Sequence, residues 1–162
     1  MKRFLLPIFL LLLTELHAQQ ITTFILVRHA EKVADASKDP ELTEAGQQRA
    51  LRLATHLNKT GVDAIYSTPY KRTMNTVAPL AKAKGMEVRN YDPMKPGPID
   101  EMLKNFPGGT IVICGHSNTI PWTANYLTGK ESFKNFEDSE YGNVLIVEIV
   151  EKGKGKVVWL EY

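Results

Sequence analysis

Two apolar runs, Phe24-Ile25-Leu26-Val27 and Thr110-Ile111-Val112-Ile113, each give way abruptly to a turn that carries a histidine. Arg28-His29-Ala30-Glu31 follows the first and Cys114-Gly115-His116-Ser117 the second. Short runs rich in β-branched residues and without polar alternation are the pattern of strands covered on both faces. Such strands need helices on either side, which constrains the chain to an α/β architecture. Ligands of open α/β sheets bind in the crevice outside the carboxyl ends of the strands. His29 and His116 are therefore expected to share a site although 87 positions separate them.

The rest of the chain fits that frame. Strand-like runs recur at 22–27, 64–66, 86–91, 110–114, 143–150 and 156–160, with helical patterns between the earlier ones. Thr43 is a suitable N-cap for a helix over 44–58, where Ala50, Leu53, Ala54 and Leu57 fall at helical spacing and Gly61 lies beyond the end. A second helix is expected to begin near Pro69 and to kink or restart at Pro79. Others are expected over 98–106 and 118–128, with Gly108-Gly109 and Gly129 as stops. Glu151-Lys152-Gly153-Lys154-Gly155 reads as a hairpin turn between the last two strands. The expected fold is a three-layer α/β/α with a mainly parallel, partly mixed central sheet. The polar or proline-rich segments 32–41 and 91–98 would lie near strand ends, where a substrate enters.

Lys2-Arg3, the apolar stretch Phe4 to Leu13 and then Leu16-His17-Ala18 have the three-part layout of a secretory signal peptide, with cleavage expected after Ala18. The apolar stretch holds about ten residues against the roughly 20 of a spanning helix, so no stable membrane insertion is expected after processing. An uncleaved interfacial anchor is the alternative. Residues 19–162 would then form one domain in the periplasm or outside the cell. The formal charge of +2 falls to +1 on processing and the lysines are scattered, a distribution that does not point to nucleic acid. Cys114 is the only cysteine, so no disulfide forms within the chain and core burial must supply stability.

Four fragments carry the chemistry. They are Val27-Arg28-His29-Ala30-Glu31, Leu42-Thr43-Glu44-Ala45-Gly46, Tyr66-Ser67-Thr68-Pro69-Tyr70-Lys71-Arg72-Thr73 and Gly115-His116-Ser117. In this order and context they resemble the motifs of the histidine phosphatase superfamily, the group of the phosphoglycerate mutases and many small phosphatases. The resemblance covers about 30 to 120. It implies that His29 attacks phosphorus to give a phosphohistidine, with Arg28, Arg72 and His116 forming the phosphate pocket.

Phosphoryl transfer independently calls for such groups. Charge spreads over three equatorial oxygens, so catalysis is mostly positioning and electrostatics. Two guanidiniums can grip those oxygens with paired hydrogen bonds, and a protonated His116 would add a third donor. Positive neighbours also disfavour protonation of His29 and keep a lone pair for attack. No cofactor and no metal are expected. Lys71 reads as a solvated neighbour of Arg72. For the proton donor, the resemblance points to the loop after the strand that follows the Arg72 helix, where Asp92 stands; Asp100 and Glu101 compete, and Asp92 is equally a turn former before Pro93.

Two other readings use the same residues. His29, Glu31 and His116 suggest a zinc hydrolase, but a third ligand is lacking and His56 sits on a helix surface. Cys114 suggests a cysteine phosphatase, but Gly115 to Pro121 holds no arginine, and a buried strand thiol is the simpler reading.

The expected function is thus an exported, metal-independent phosphomonoesterase acting on a small phosphorylated substrate, with envelope sugar phosphates among the classes the resemblance includes. The alternatives are a phospholigand-binding protein that has lost turnover, and a phosphohistidine protein phosphatase or mutase-like phosphoryl transferase.

Overall fold

The structure, a computed structural model, describes residues 20–162. The proposed signal peptide lies outside them. No helix among the described residues is long and apolar enough to cross a membrane.

All six expected strands form, as β1 (Thr22–Arg28), β2 (Ala64–Ser67), β3 (Val88–Asn90), β4 (Thr110–Gly115), β5 (Asn143–Glu151) and β6 (Lys154–Glu161). They make one sheet in the order β3-β2-β4-β1-β5-β6. The first four are mutually parallel, whereas β5 is antiparallel to β1 and β6 to β5. The hairpin turns at Lys152-Gly153, where Gly153 takes φ 88°, a left-handed conformation that suits glycine. β3 is shorter than the 86–91 pattern suggests. It is an edge strand whose Arg89 and Asn90 are exposed, so little burial extends it.

Residues alternate between two helical layers even within the uniformly apolar runs. Phe24, Leu26, Ile111 and Ile113 join α3 (Gly97–Asn105) and α4 (Thr119–Thr128) through Ile99, Met102, Ile120 and Leu127. Ile25, Val27, Val112 and Cys114 join α1 (Glu44–His56) and α2 (Lys71–Lys84) through Leu53, Val77 and Leu80. The chain therefore leaves β1 toward one face and its parallel neighbour β4 toward the other. The diverging connections open a crevice at their carboxyl ends, and Arg28 pairs in register with Gly115 at its floor.

The helix after β1 is tied back to that crevice. The Thr43 hydroxyl accepts from the Gly46 N–H as the N-cap, and the Thr43 backbone N–H donates to the Glu31 carbonyl at 2.9 Å. A Cβ on Gly46 would overlap that carbonyl oxygen, which explains the small residue in Leu42-Thr43-Glu44-Ala45-Gly46. Pro79 does not break α2, contrary to the expected kink or restart. The carbonyl it leaves unpaired, on Asn75, belongs to an exposed residue and can be hydrated.

Candidate active site

The crevice brings the two histidines together with ring centroids 5.4 Å apart. His29 is 4% exposed and held from several sides. Its N–H donates to the Gly115 carbonyl on β4 at 2.9 Å, and the next N–H, of Ala30, donates to the Thr76 hydroxyl on α2 at 2.9 Å. Its Nδ1 lies 2.8 Å from the Ala30 carbonyl. A carbonyl only accepts, so Nδ1 carries the proton and the lone pair of the neutral ring sits on Nε2. Burial, with the positive charges of Arg28, Arg72 and Lys32, pushes the imidazole down to about 4. His29 is neutral at pH 7.

His116 is held by the start of α4, where its N–H donates to the Thr119 hydroxyl at 2.8 Å. Its Nε2 lies 3.0 Å from the buried Thr68 hydroxyl, which is 2.9 Å from the Thr73 hydroxyl. Burial, followed by Arg72 and His29, pushes this ring down to about 4 as well. His116 is therefore a neutral imidazole in the empty site, and a dianion beside it would favour its protonation.

Arg28 is 3% exposed and belongs to the α4 face of the sheet. Its Nη1 donates to the carbonyls of Glu137 at 2.6 Å and Glu140 at 3.1 Å, and its guanidinium lies 4.3 Å over the Tyr141 ring. Its buried Nε has no partner, a donor that a ligand oxygen would satisfy. Arg72 stands in the first turn of α2, with its guanidinium 4.5 Å over the Tyr70 ring and Nη1 3.6 Å from Asp39. Tyr70 in turn meets His116 edge-on at 5.3 Å. Lys71 points away and pairs with Glu41 at the surface, in line with its reading as a solvated neighbour.

Asp92 lines the same cavity of about 580 Å³ as Arg72, His116, Tyr70 and Met94. Its carboxylate accepts from Lys95 at 2.9 Å and from the Met94 N–H at 3.1 Å, which holds it below the usual carboxylate range. Asp100 instead pairs with Lys152 and Tyr126 on an exposed patch. Glu31 is gripped by Arg49 at 2.7 Å, so it is not a free metal ligand, and no group of three His, Cys, Asp or Glu side chains suited to a metal occurs among the described residues. Cys114 is fully buried, and burial pushes its thiol up, as fits a structural residue rather than a nucleophile.

Sequence reasoning missed Tyr70, Tyr141 and Asp39. Tyr70 had a signal, being two positions before Arg72 inside a motif fragment. Tyr141 had none.

With this geometry established, comparison with known proteins places it. The profile of the histidine phosphatase superfamily (branch 1) matches residues 24–95. Over that segment the chain is of the histidine phosphatase superfamily. The chain is 42% identical over 74 residues to phosphoserine phosphatase 1 of Hydrogenobacter thermophilus, a match covering 42% of this chain and 35% of that protein. The chain thus spans about a third of the curated relative it matches. The fold is that of mycobacterial glucosyl-3-phosphoglycerate phosphatase, with a TM-score of 0.72, 12% identity and coverage of 88% of this chain and 98% of that one. It is also that of the protein histidine phosphatase SixA complexed with tungstate, at 0.70, 16%, 86% and 96%. A phosphoserine phosphatase mutant from Entamoeba histolytica in complex with phosphoserine shares it at 0.68, 19%, 85% and 95%.

Proposed function

We propose that this chain is an exported phosphomonoesterase that transfers the phosphoryl group of a small ester to His29 and then to water, without a metal. The observation that carries the reading is the locked His29 tautomer. Nδ1–H is committed to Ala30, so Nε2 offers a fixed lone pair in a pocket with two guanidiniums and a second imidazole. In the first step Nε2 forms a bond to phosphorus, the ester P–O bond breaks, and the leaving oxygen takes a proton. In the second, water gives a proton back to the carboxylate that supplied the first and attacks phosphorus, the P–N bond breaks, and orthophosphate leaves with His29 restored. Arg28, Arg72 and a protonated His116 stabilise the equatorial oxygens in both. Export rests on the amino-terminal sequence pattern.

The test is mild-acid-quenched mass spectrometry after brief mixing with an aryl phosphate in the presence of a chelator. A phosphate on the His29 peptide, with continued product release, is the expected result. Turnover that vanishes on chelation and returns with zinc would overturn the metal-free route. A folded protein with neither adduct nor hydrolysis would leave the phospholigand-binding alternative.

Two substitutions test the finer roles. Arg72→Ala should cost at least roughly tenfold more in kcat/KM than Lys71→Ala, about 1.4 kcal/mol of transition-state binding. Equal losses would sink the assignment of Arg72 as an oxyanion clamp. Asp92 is the proton donor in this scheme. Its Lys95 pair is solvent-exposed and of the kind worth only about 0–1 kcal/mol, and an arriving phosphate dianion both competes for Lys95 and raises the carboxyl. Asp92→Asn should therefore slow alkyl phosphates more than nitrophenyl phosphate, whose leaving group needs no proton; an equal effect on both would remove the role.

A further inference from the structure

The phosphate cavity continues past His116 and Arg72. Across a shared wall of Pro93, Met94, Asn118 and Thr119 it meets a second cavity of about 260 Å³, closed on its far side by Trp122, Phe133 and Asn135. Asn118 is the N-cap of α4 and Trp122 stands four positions on, in the first turn of that helix. The wall is preset. Trp122 lies flat on Tyr126, with centroids 5.3 Å apart and an 8° interplanar angle. Asn125 holds Phe133 in place, donating to its carbonyl at 2.8 Å and accepting from its N–H at 3.0 Å.

The chemistry of this second cavity differs from that of the first. No charged residue lines it. The Asn125 amide is used within the wall, while those of Asn118 and Asn135 make no hydrogen bond to another described residue. Tyr70, Met94 and Trp122, 40%, 72% and 36% exposed, gather large apolar surface along the two cavities. An aromatic face beside free amides and without charge suits a ring with one apolar side and hydroxyls at its edge. It does not suit an amino-acid group, whose carboxylate and ammonium would both be desolvated without partners. Except for Pro93 and Met94, the groove residues lie outside the segment 24–95 that matches the family profile.

We infer that this groove receives the leaving group of the substrate, and that the group is an uncharged, hydroxyl-bearing ring: the sugar of a hexose phosphate or the nucleoside of a nucleotide. The inference rests on the phosphatase reading only in placing the phosphate between Arg28 and Arg72.

Binding and turnover separate the two claims. Calorimetry on the His29→Ala protein with glucose 6-phosphate, adenosine 5′-monophosphate and phosphoserine reads the groove without hydrolysis, and p-nitrophenyl phosphate turnover by the parent reads the phosphatase. At least one ring ester should bind at least about tenfold more tightly than phosphoserine, and whichever does so names the source of the ring. Trp122→Ala should remove that preference while leaving the affinity for phosphoserine, which has no ring to seat there, within about twofold, and Trp122→Phe, which keeps a flat ring on Tyr126, should restore most of it. Phosphoserine binding as tightly as both ring esters, or Trp122→Phe failing to restore a preference lost in Trp122→Ala, would overturn the inference. Ring preference in a protein that hydrolyses nothing would overturn the phosphatase reading and leave the groove standing.

Discussion

His29→Asn is expected to lower turnover of an aryl phosphate by at least about 10³-fold while vanadate binding stays within about tenfold of the parent. The amide nitrogen of Asn stands where Nδ1 does and can still donate to the Ala30 carbonyl, so the turn keeps its hydrogen bond. What disappears is the Nε2 lone pair. Arg28 and Arg72 are held by groups that do not depend on the imidazole, namely the carbonyls of Glu137 and Glu140 for the first and the Tyr70 ring for the second. The phosphate grip should therefore survive without the nucleophile. Residual activity above about 1% of the parent would mean that water attacks the ester directly, and that His29 only positions phosphate.

Much of the site was legible because its parts lie where short-range rules operate. The runs ending at Arg28 and Gly115 announced buried parallel strands, and the crevice rule then put His29 and His116 together. Thr43 was readable as a cap from its chemistry. The need for Gly46 was not, since it comes from the close approach of the Glu31 carbonyl, set by the packing of α1 against the β1 turn.

The segment between α4 and β5 shows the limit most clearly. Residues 130–142 contain no regular element and no periodicity, yet they shape the pocket. The Phe136 N–H donates to the Ser117 carbonyl, the Phe136 side chain is buried in the core, and the carbonyls of Glu137 and Glu140 hold Arg28. Backbone carbonyls acting as acceptors leave no mark on residue identity, so the role of this segment is invisible before folding. Asp39 is similar. It meets Arg72 and the Lys71 N–H only because the Lys32–Leu42 bridge folds its loop over the start of α2.

Stability should fall steeply as pH drops from 6.5 toward 4, and His29→Asn should flatten that fall. A histidine is half-protonated near 6.5 in the unfolded chain, whereas in the folded protein burial brings His29 and His116 to about 4. Above pH 6.5 both states hold these rings neutral and nothing is lost. Between 6.5 and 4 the unfolded chain binds protons that the folded one refuses, so each ring lowers stability as pH falls, and below 4 the loss levels off. For His29 the full difference is on the order of 3 kcal/mol. His116, more exposed to solvent, contributes less. Melting temperatures measured in 0.5-unit steps are best compared over pH 5 to 6.5, before the carboxylates titrate strongly. An unchanged slope in His29→Asn would show that the folded protein binds a proton at His29 as readily as the unfolded chain does. Saturating phosphate should act in the opposite direction on His116, since the bound dianion favours its charged form and so opposes the acid loss. On the proposed mechanism the same electrostatics would keep His29 free for attack in the empty pocket and recruit His116 as a donor once phosphate arrives.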